Sequence, residues 1–372
     1  MSMDTLSRLA LNRATLARQL LLERTTMPAL DAVRHLLGLQ AQLPLNPYVA
    51  LWSRLQGFQP HELARLLEER KVVRLVVMRA TLHLVTADDC ILLRPLVQPV
   101  LDKELARHRD YAPVLRDVDL EAVLAFARPL LAERPRTGVE LRAAMKERFP
   151  EHDPGALAQT CRNLLALVQV PPRGVWGRSA QVASTTAEAW LGRPLAADPS
   201  VDDVVLRYLA AFGPAASADA ATWSGLTGLG DVFDRLRPRL RTYRDERGRE
   251  LFDLPDAPRP DVDTPAPARF LPEFDNLLLS HADRSRFVAD QHRRRFLGAA
   301  RPTVGHVLSD GRACGTWGVE DDKTTGEATL VVSHIGELSR RALEELTSEG
   351  LRFVRFMRPE AVAHDVRLVD GP

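Results

Sequence analysis

Lysine is nearly absent from this chain. It occurs only at Lys71, Lys103, Lys146 and Lys323, none placed by a motif, so an imine-forming nucleophile has little support. Cysteine is as scarce: Cys90, Cys161 and Cys314 lie far apart with no Cys-x-x-Cys pair, which argues against a zinc cage and a disulfide framework and reads as buried small apolar residues. No apolar run approaches the roughly 18 to 20 residues that a membrane span needs. The first eleven residues also lack the apolar core and small-residue cleavage site of a secretory signal, so no membrane segment and a cytoplasmic location are expected. There is no Walker A loop, no Gly-x-Gly-x-x-Gly after a strand, no His-Glu-x-x-His and no Gly-x-Ser-x-Gly elbow. Nucleotide hydrolysis, hydride transfer and zinc proteolysis are therefore unsupported, and no cofactor or metal is expected.

What is present is globular. With 372 residues, 45% of them hydrophobic and 27% charged, two to four compact units are expected. The formal net charge is only +1, which by itself lacks the basic signature of many nucleic-acid binders. Almost all the positive charge is arginine. The guanidinium fork suits phosphate, and a GC-rich genome would give the same bias without functional meaning.

The pattern along the chain repeats. Apolar residues at helical spacing predict helices over 12–24, 29–39, 48–55 and 61–69, followed by two β-rich runs, 72–78 and 81–85, separated by Arg79-Ala80. A second round predicts helices over 119–131, 138–148 and 154–167, then β-compatible runs around Pro-Pro-Arg-Gly within 168–185. A third round predicts helices over 204–212, 217–226 and 232–240, with Ser217 as a cap, and a hairpin over 241–254 tipped by Asp245-Glu246-Arg247-Gly248. Helices followed by a hairpin, three times over, is the winged-helix layout, although unrelated α+β proteins also combine helices with hairpins. Prolines at 255, 258, 260, 265 and 267 then break regular structure and predict a linker. Beyond it, strands over 303–308, 314–319 and 328–332 and helices over 285–296 and 339–349 predict a small sheet or barrel. The expected architecture is α+β: winged helices over 1–116, 117–198 and 199–254, a linker over 255–268 and a barrel-like domain over 269–372.

The most unusual segment is Gln40-Ala41-Gln42, after an apolar helix and before Pro44 and Pro47. In an extended chain, residues two apart share a face, so Gln40 and Gln42 would converge there. The alternative is that they cap the helix end or hydrogen-bond the loop.

Leu39-Gln40-Ala41-Gln42, the following Asn46-Pro47-Tyr48 and Leu51-Trp52-Ser53-Arg54, then Arg79-Ala80-Thr81-Leu82-His83, and later Phe274-Asp275-Asn276-Leu277-Leu278 with Arg284 together resemble the AlkZ/YcaQ superfamily of winged-helix DNA glycosylases. The resemblance covers nearly the whole chain. Gln-x-Gln looks like the AlkZ branch rather than the Gln-x-Asp of the YcaQ branch, with Ala41 smaller than the bulkier apolar residue expected between them. The resemblance implies three tandem winged helices and a β-barrel around a DNA channel. It also implies excision of N7-alkylated purines and, in some members, unhooking of interstrand crosslinks such as those of azinomycin B, with Gln40 and Gln42 catalytic.

Asn46, Arg79 and His83 are candidate DNA contacts around the first wing, and Arg284, Arg286, Arg293 and Arg294, with Arg295, concentrate charge near the barrel. A solvated helix face is the bland reading of that charge. Trp176, Trp190, Trp223 and Trp317 could stack on bases, but buried tryptophan is the commoner outcome, and they are not taken as site residues. The expected partner is double-stranded DNA carrying alkylated or crosslinked purines. A non-catalytic winged-helix regulator is the competing class. Three modules in one chain without an evident dimerisation helix argue against it and point to a monomer.

Overall fold

A computed structural model describes residues 4–293, 296 and 305–371. The chain opens with β1 (Thr5–Leu6), α1 (Arg8–Arg18), α2 (Ala29–His35), β2 (Leu39–Gln40), α3 (Asn46–Arg54) and α4 (Pro60–Glu68). The hairpin β3 (Val72–Val76) and β4 (Leu82–Thr86) follows, then α5 (Ala87–Leu96) and α6 (Gln98–Arg107). Next come α7 (Leu120–Glu133), β5 (Arg136–Thr137), α8 (Gly138–Arg148), α9 (Pro154–Leu164), β6 (Leu167–Gln169), β7 (Ala183–Thr186) and α10 (Ala187–Leu191). A third stretch holds α11 (Val201–Phe212), α12 (Ser217–Ser224), α13 (Leu229–Leu236), β8 (Arg241–Asp245) and β9 (Glu250–Asp253). After the proline-rich segment come β10 (Arg269–Leu271), α14 (Asn276–Leu279), β11 (Gly305–Ser309), β12 (Arg312–Asp321), β13 (Glu327–His334), the long helix Arg340–Met357 and β14 (Ala363–Asp370). The fold is α+β.

The first hairpin lies inside a larger sheet. Every residue of β3 is buried, as a strand covered on both faces requires. One edge of β3 pairs with β4 and the other with β6, giving the order β2-β4-β3-β6-β7-β5. At the N-terminus, β1 pairs in parallel with β8, Thr5 opposite Arg244, so the first residues complete a sheet built more than two hundred residues later. Neither pairing leaves a local sequence pattern.

Helix α1 is tied down from several directions. Arg18 gives two hydrogen bonds to the Asp253 carboxylate, 2.6 and 2.9 Å, with both side chains buried. Asn12 donates to the carbonyls of Arg286 and Gly311, each at 2.8 Å. Arg13 donates to Thr264 O and Arg18 to Pro258 O, so the proline-rich segment packs along α1.

Three local expectations are corrected. The strands of the C-terminal part form an open five-stranded sheet, β10-β11-β12-β13-β14, and the described residues close no barrel. The helix Arg340–Met357 crosses one face and lets β14 lie parallel to β13, and the strand order leaves β10 and β14 as the two edges among the described residues. Most of the helix expected over 285–296 is instead a turn at Arg284, whose carbonyl accepts from Phe287 N and Val288 N, and a short 3-10 turn at Asp290–His292. Phe287 and Val288 are buried, and Asp283 Oδ1 accepts from Ser285 N, which shapes a tight turn rather than a helical start. At α12 the cap is Ala216, and the Asp219 carboxylate, not the Ser217 hydroxyl, accepts from its amide.

Candidate active site

The site starts from the exit of α2. Leu37 at φ 55° and Gly38 at φ 94° reverse the chain out of the helix. A side chain at Gly38 would sit 2.7 Å from Val85 Cγ1 and 2.9 Å from Leu84 O, so only glycine lets the backbone come this close to β4. The reversed chain joins β4 as an edge strand, with Leu39 opposite Leu84 and Gln40 opposite His83. Ala41 N adds a bond to Leu82 O, and Arg74 from β3 donates to Ala41 O at 2.8 Å. The backbone is thus extended through the first of the two glutamines, and neither amide caps the end of α2.

The two side chains have different surroundings. Gln40 is 7% exposed, and its Oε1 accepts a 2.7 Å hydrogen bond from Arg79 Nη2. Gln42 is exposed and has no hydrogen-bond partner among the described residues. Arg79 sits in the turn between β3 and β4 at φ 57°. It also donates to Trp223 O at 2.7 Å and to Asn276 Oδ1 at 3.0 Å, and Asn276 Nδ2 donates to Gly38 O at 3.2 Å. Gly225, just after α12, has its Cβ position 3.4 Å from Arg79 Cα. Gln40, Trp223 and Asn276, from three separate chain regions, therefore converge on Arg79.

His83 is fully buried beside this cluster. Its Nδ1 lies 3.0 Å from Thr81 O and its Nε2 3.5 Å from Arg79 Nη2. Burial, with the neighbouring Arg79 charge, pushes its pKa down to about 3, so the imidazole is neutral near neutral pH. It then donates from Nδ1 to the carbonyl and turns a lone pair toward the guanidinium. Arg79 itself is lowered to about 10 by burial and by Arg284.

Helix α3 clamps the C-terminal part against this edge. Trp52 packs on Phe353 and Phe356 with ring centroids 5.0 and 5.6 Å apart. Ser53 Oγ donates to Phe270 O, and Arg54 makes a buried two-pronged pair with Asp275 at 2.8 and 2.9 Å. Asp275 also caps α14, placing Asn276 next in the chain against Arg79. Tyr48 donates to Gly174 O and accepts from Trp176 N, pinning the loop between β6 and β7.

A family model for AlkZ-like DNA glycosylases matches residues 33–356. The chain belongs to the AlkZ-like DNA glycosylase family. It is similar to an interstrand DNA cross-link repair glycosylase of Streptomyces sahachiroi, 25% identical over 359 residues, or 91% of this chain and 93% of that one. The fold matches the solved structure of the Streptomyces sahachiroi DNA glycosylase AlkZ with a TM-score of 0.79 at 21% identity, over 98% of this chain and all of the other. This chain is thus a DNA glycosylase, and the non-catalytic regulator is set aside.

The remaining candidates of the glycosylase divide. Asn46, at the start of α3 and only 6% exposed, donates to Glu273 O at 2.8 Å. Arg284 is half-buried and lowered by burial and by the charge of Arg293, which is exposed. Neither has an acidic partner within ion-pair distance among the described residues. Arg286 is a different case from its sequence placement: it is 2% exposed and gives its hydrogen bonds to Thr15 Oγ1 and Pro214 O. It is an interior residue. Arg294, like Arg295, lies outside the described residues. Asn276 is not among the sequence candidates, although it lies in the quoted Phe-Asp-Asn run; its signal is an amide next to an acidic cap. No helix of the described residues is long and apolar enough to cross a membrane. No group of three His, Cys, Asp or Glu among them could hold a metal ion. A cavity of about 670 Å³ lined by Leu105, Pro113, Leu115 and Leu120 contains none of these site residues.

Proposed function

We propose that this glycosylase hydrolyses the N-glycosidic bond of N7-alkylated purines in double-stranded DNA, releasing the base and leaving an abasic site. The observation that carries the reading is an edge strand holding Gln40 by Arg79, with exposed Gln42 two residues further on. Glycoside hydrolases generally use paired carboxylates, one to protonate the leaving group. An N7-alkylpurine is already cationic and leaves as a neutral base, so acid catalysis is dispensable. Neutral amides then suffice to place water near C1′ and to present partial charge to an oxocarbenium-like sugar.

The chain acts monofunctionally in this reading. All four lysines are exposed, and Lys71 stands at the opposite end of β3 from Arg79. Arg284 and Arg293 meet backbone phosphates, and Asn46 is the third candidate DNA contact. The helix-and-hairpin segments, with hairpins β3–β4, β6–β7 and β8–β9, are three tandem winged helices over 1–116, 117–198 and 199–254. A proline-rich linker over 255–268 and a C-terminal domain over 269–372 follow. Interstrand crosslinks joined through purine N7 belong to the same substrate class, since unhooking breaks the same bond; the relative from Streptomyces sahachiroi is named for crosslink repair. The enzyme works as a monomer.

The test is incubation with a duplex oligonucleotide containing one N7-methylguanine, followed by hot alkali. Strand cleavage only after alkali is expected. No alkali-labile product above the spontaneous rate would contradict the reading, and a borohydride-trapped protein–DNA adduct would contradict the monofunctional part.

A further inference from the structure

The guanidinium of Arg79 faces protein groups on every side that has a partner. Its Nη1 is given to Trp223 O, and its Nη2 is shared between Gln40 Oε1 and Asn276 Oδ1. A guanidinium has donors only. The amide groups of Gln40 and Asn276 must therefore both turn their oxygens toward it, and their NH₂ groups away. For Asn276 the outcome is visible: its Nδ2 donates to Gly38 O, the carbonyl just ahead of β2. For Gln40 the oxygen is engaged, and no described group accepts from its NH₂.

We propose that Arg79 is a positioning residue that fixes Gln40 as a hydrogen-bond donor to a lone pair of the bound nucleotide, leaving the hydrolytic water to Gln42. This rests on the glycosylase reading above and divides the labour between the two glutamines. A cation on the amide oxygen polarises the amide and strengthens its NH₂ as a donor. Neutral His83 sits across the strand pair from Gln40 with its Nε2 toward Arg79, so it supplies no competing positive charge. The backbone holds Arg79 in place: Ala80 N bonds Val77 O and Thr81 N bonds Met78 O around its left-handed turn. With hydrogen bonds from both Nη groups given to protein acceptors, Arg79 acts in this reading as a positioning residue rather than as the phosphate ligand that its position on the wing suggests.

The experiment compares wild type, Gln40→Glu, Arg79→Ala and Arg79→Lys in single-turnover release of N7-methylguanine, duplex affinity at several salt concentrations, and melting temperature. Gln40→Glu keeps an oxygen opposite Arg79 and loses the donor. Its rate is expected to fall at least about tenfold, with affinity and melting temperature close to wild type. Arg79→Ala is expected to lose rate with an unchanged salt slope, and Arg79→Lys, which retains a cationic donor, to recover part of that loss. Where a variant melts early, rates are compared at a temperature at which it remains folded. Gln40→Glu as fast as wild type would overturn the inference, because Gln40 would then act through its oxygen. Arg79→Ala that weakens DNA binding and lowers the salt slope by about one would overturn it too, since that marks a phosphate ligand. If wild type itself releases no base, the glycosylase reading fails and takes this inference with it; if wild type is active and Gln40→Glu is unimpaired, only the inference fails.

Discussion

The arginines of the interior and those near the Gln40 edge use the same side chain for opposite purposes. Arg18 and Arg54 are buried and closed by the carboxylates of Asp253 and Asp275, while Arg286 spends its donors on Thr15 and Pro214. Half-buried Arg284 feels the charge of exposed Arg293, and neither has an acidic partner among the described residues. A paired interior guanidinium serves as a fixed cross-link between distant parts of the chain. Two neighbouring cations without counter-charge leave donors open to an anion, as the proposed phosphate contact requires. Composition alone merges these populations, which is why a net charge of +1 says so little about where DNA would lie.

The interior side of the comparison should give the largest effect. Arg54→Ala leaves the buried Asp275 charge unpaired, and removing one partner of a buried pair costs about 3–5 kcal/mol. The same change frees the cap that carries Asn276, so both the unfolding midpoint in denaturant and the excision rate should fall. An unfolding midpoint equal to wild type would break the account of Arg54 as a cross-link.

Acid should act next, through buried neutral histidines. His83 and His281 are pushed down to about 3, and His306 is also lowered, in each case mainly by burial. Their folded values lie below the unfolded value of about 6.5. Below that pH the unfolded chain binds protons that the folded chain refuses, so stability present above pH 6.5 is lost as pH falls toward 3. His83 and His281 each lose up to about 1.4 kcal/mol per pH unit in that window. Urea melts at pH 7 and pH 5.5 should show the loss, and His83→Gln should make the dependence shallower. A pH-independent midpoint would contradict the neutral assignment.

The surface side should give the smallest effect on folding and a clear one on binding. Arg284→Ala with Arg293→Ala should leave the melting temperature nearly unchanged and reduce the salt slope of duplex affinity by about one for each phosphate no longer neutralised. An Arg286→Ala variant should show the reverse pattern, with reduced stability and little change in salt slope. If Arg286 and Arg284 behaved alike, the division between the two populations would be wrong.

Local pattern made much of this legible in the sequence. Helix α8 falls on the expected residues 138–148, the β8–β9 hairpin lies within its expected span, and the β3–β4 hairpin overruns its expected span only at Thr86, because apolar spacing, caps and turn residues are short-range signals. The extended chain at Gln40 was one of two readings the sequence left open, since the prolines beyond it end the helix without choosing between a strand and a helix-end cap. Long-range pairing was not legible. Nothing local marks β1 for β8, β3 for β6 or β14 for β13, and the last of these decided between an open sheet and a barrel. Around the site, the Gln-x-Gln segment stood out as a pattern, whereas the different environments of its two amides depend on Arg79, itself held by Asn276 from 197 residues further along the chain.

The most direct test of the central claim is to measure melting temperature and single-turnover base release for Gln40→Ala and Gln42→Ala on the same N7-methylguanine duplex. The account predicts that each slows release at least about tenfold, equivalent to about 1.4 kcal/mol of transition-state stabilisation, with DNA affinity hardly changed and with Gln42→Ala, whose side chain is exposed, melting like wild type. Full activity in both variants, with or without a lower melting temperature, would contradict the assignment of these glutamines to the chemistry.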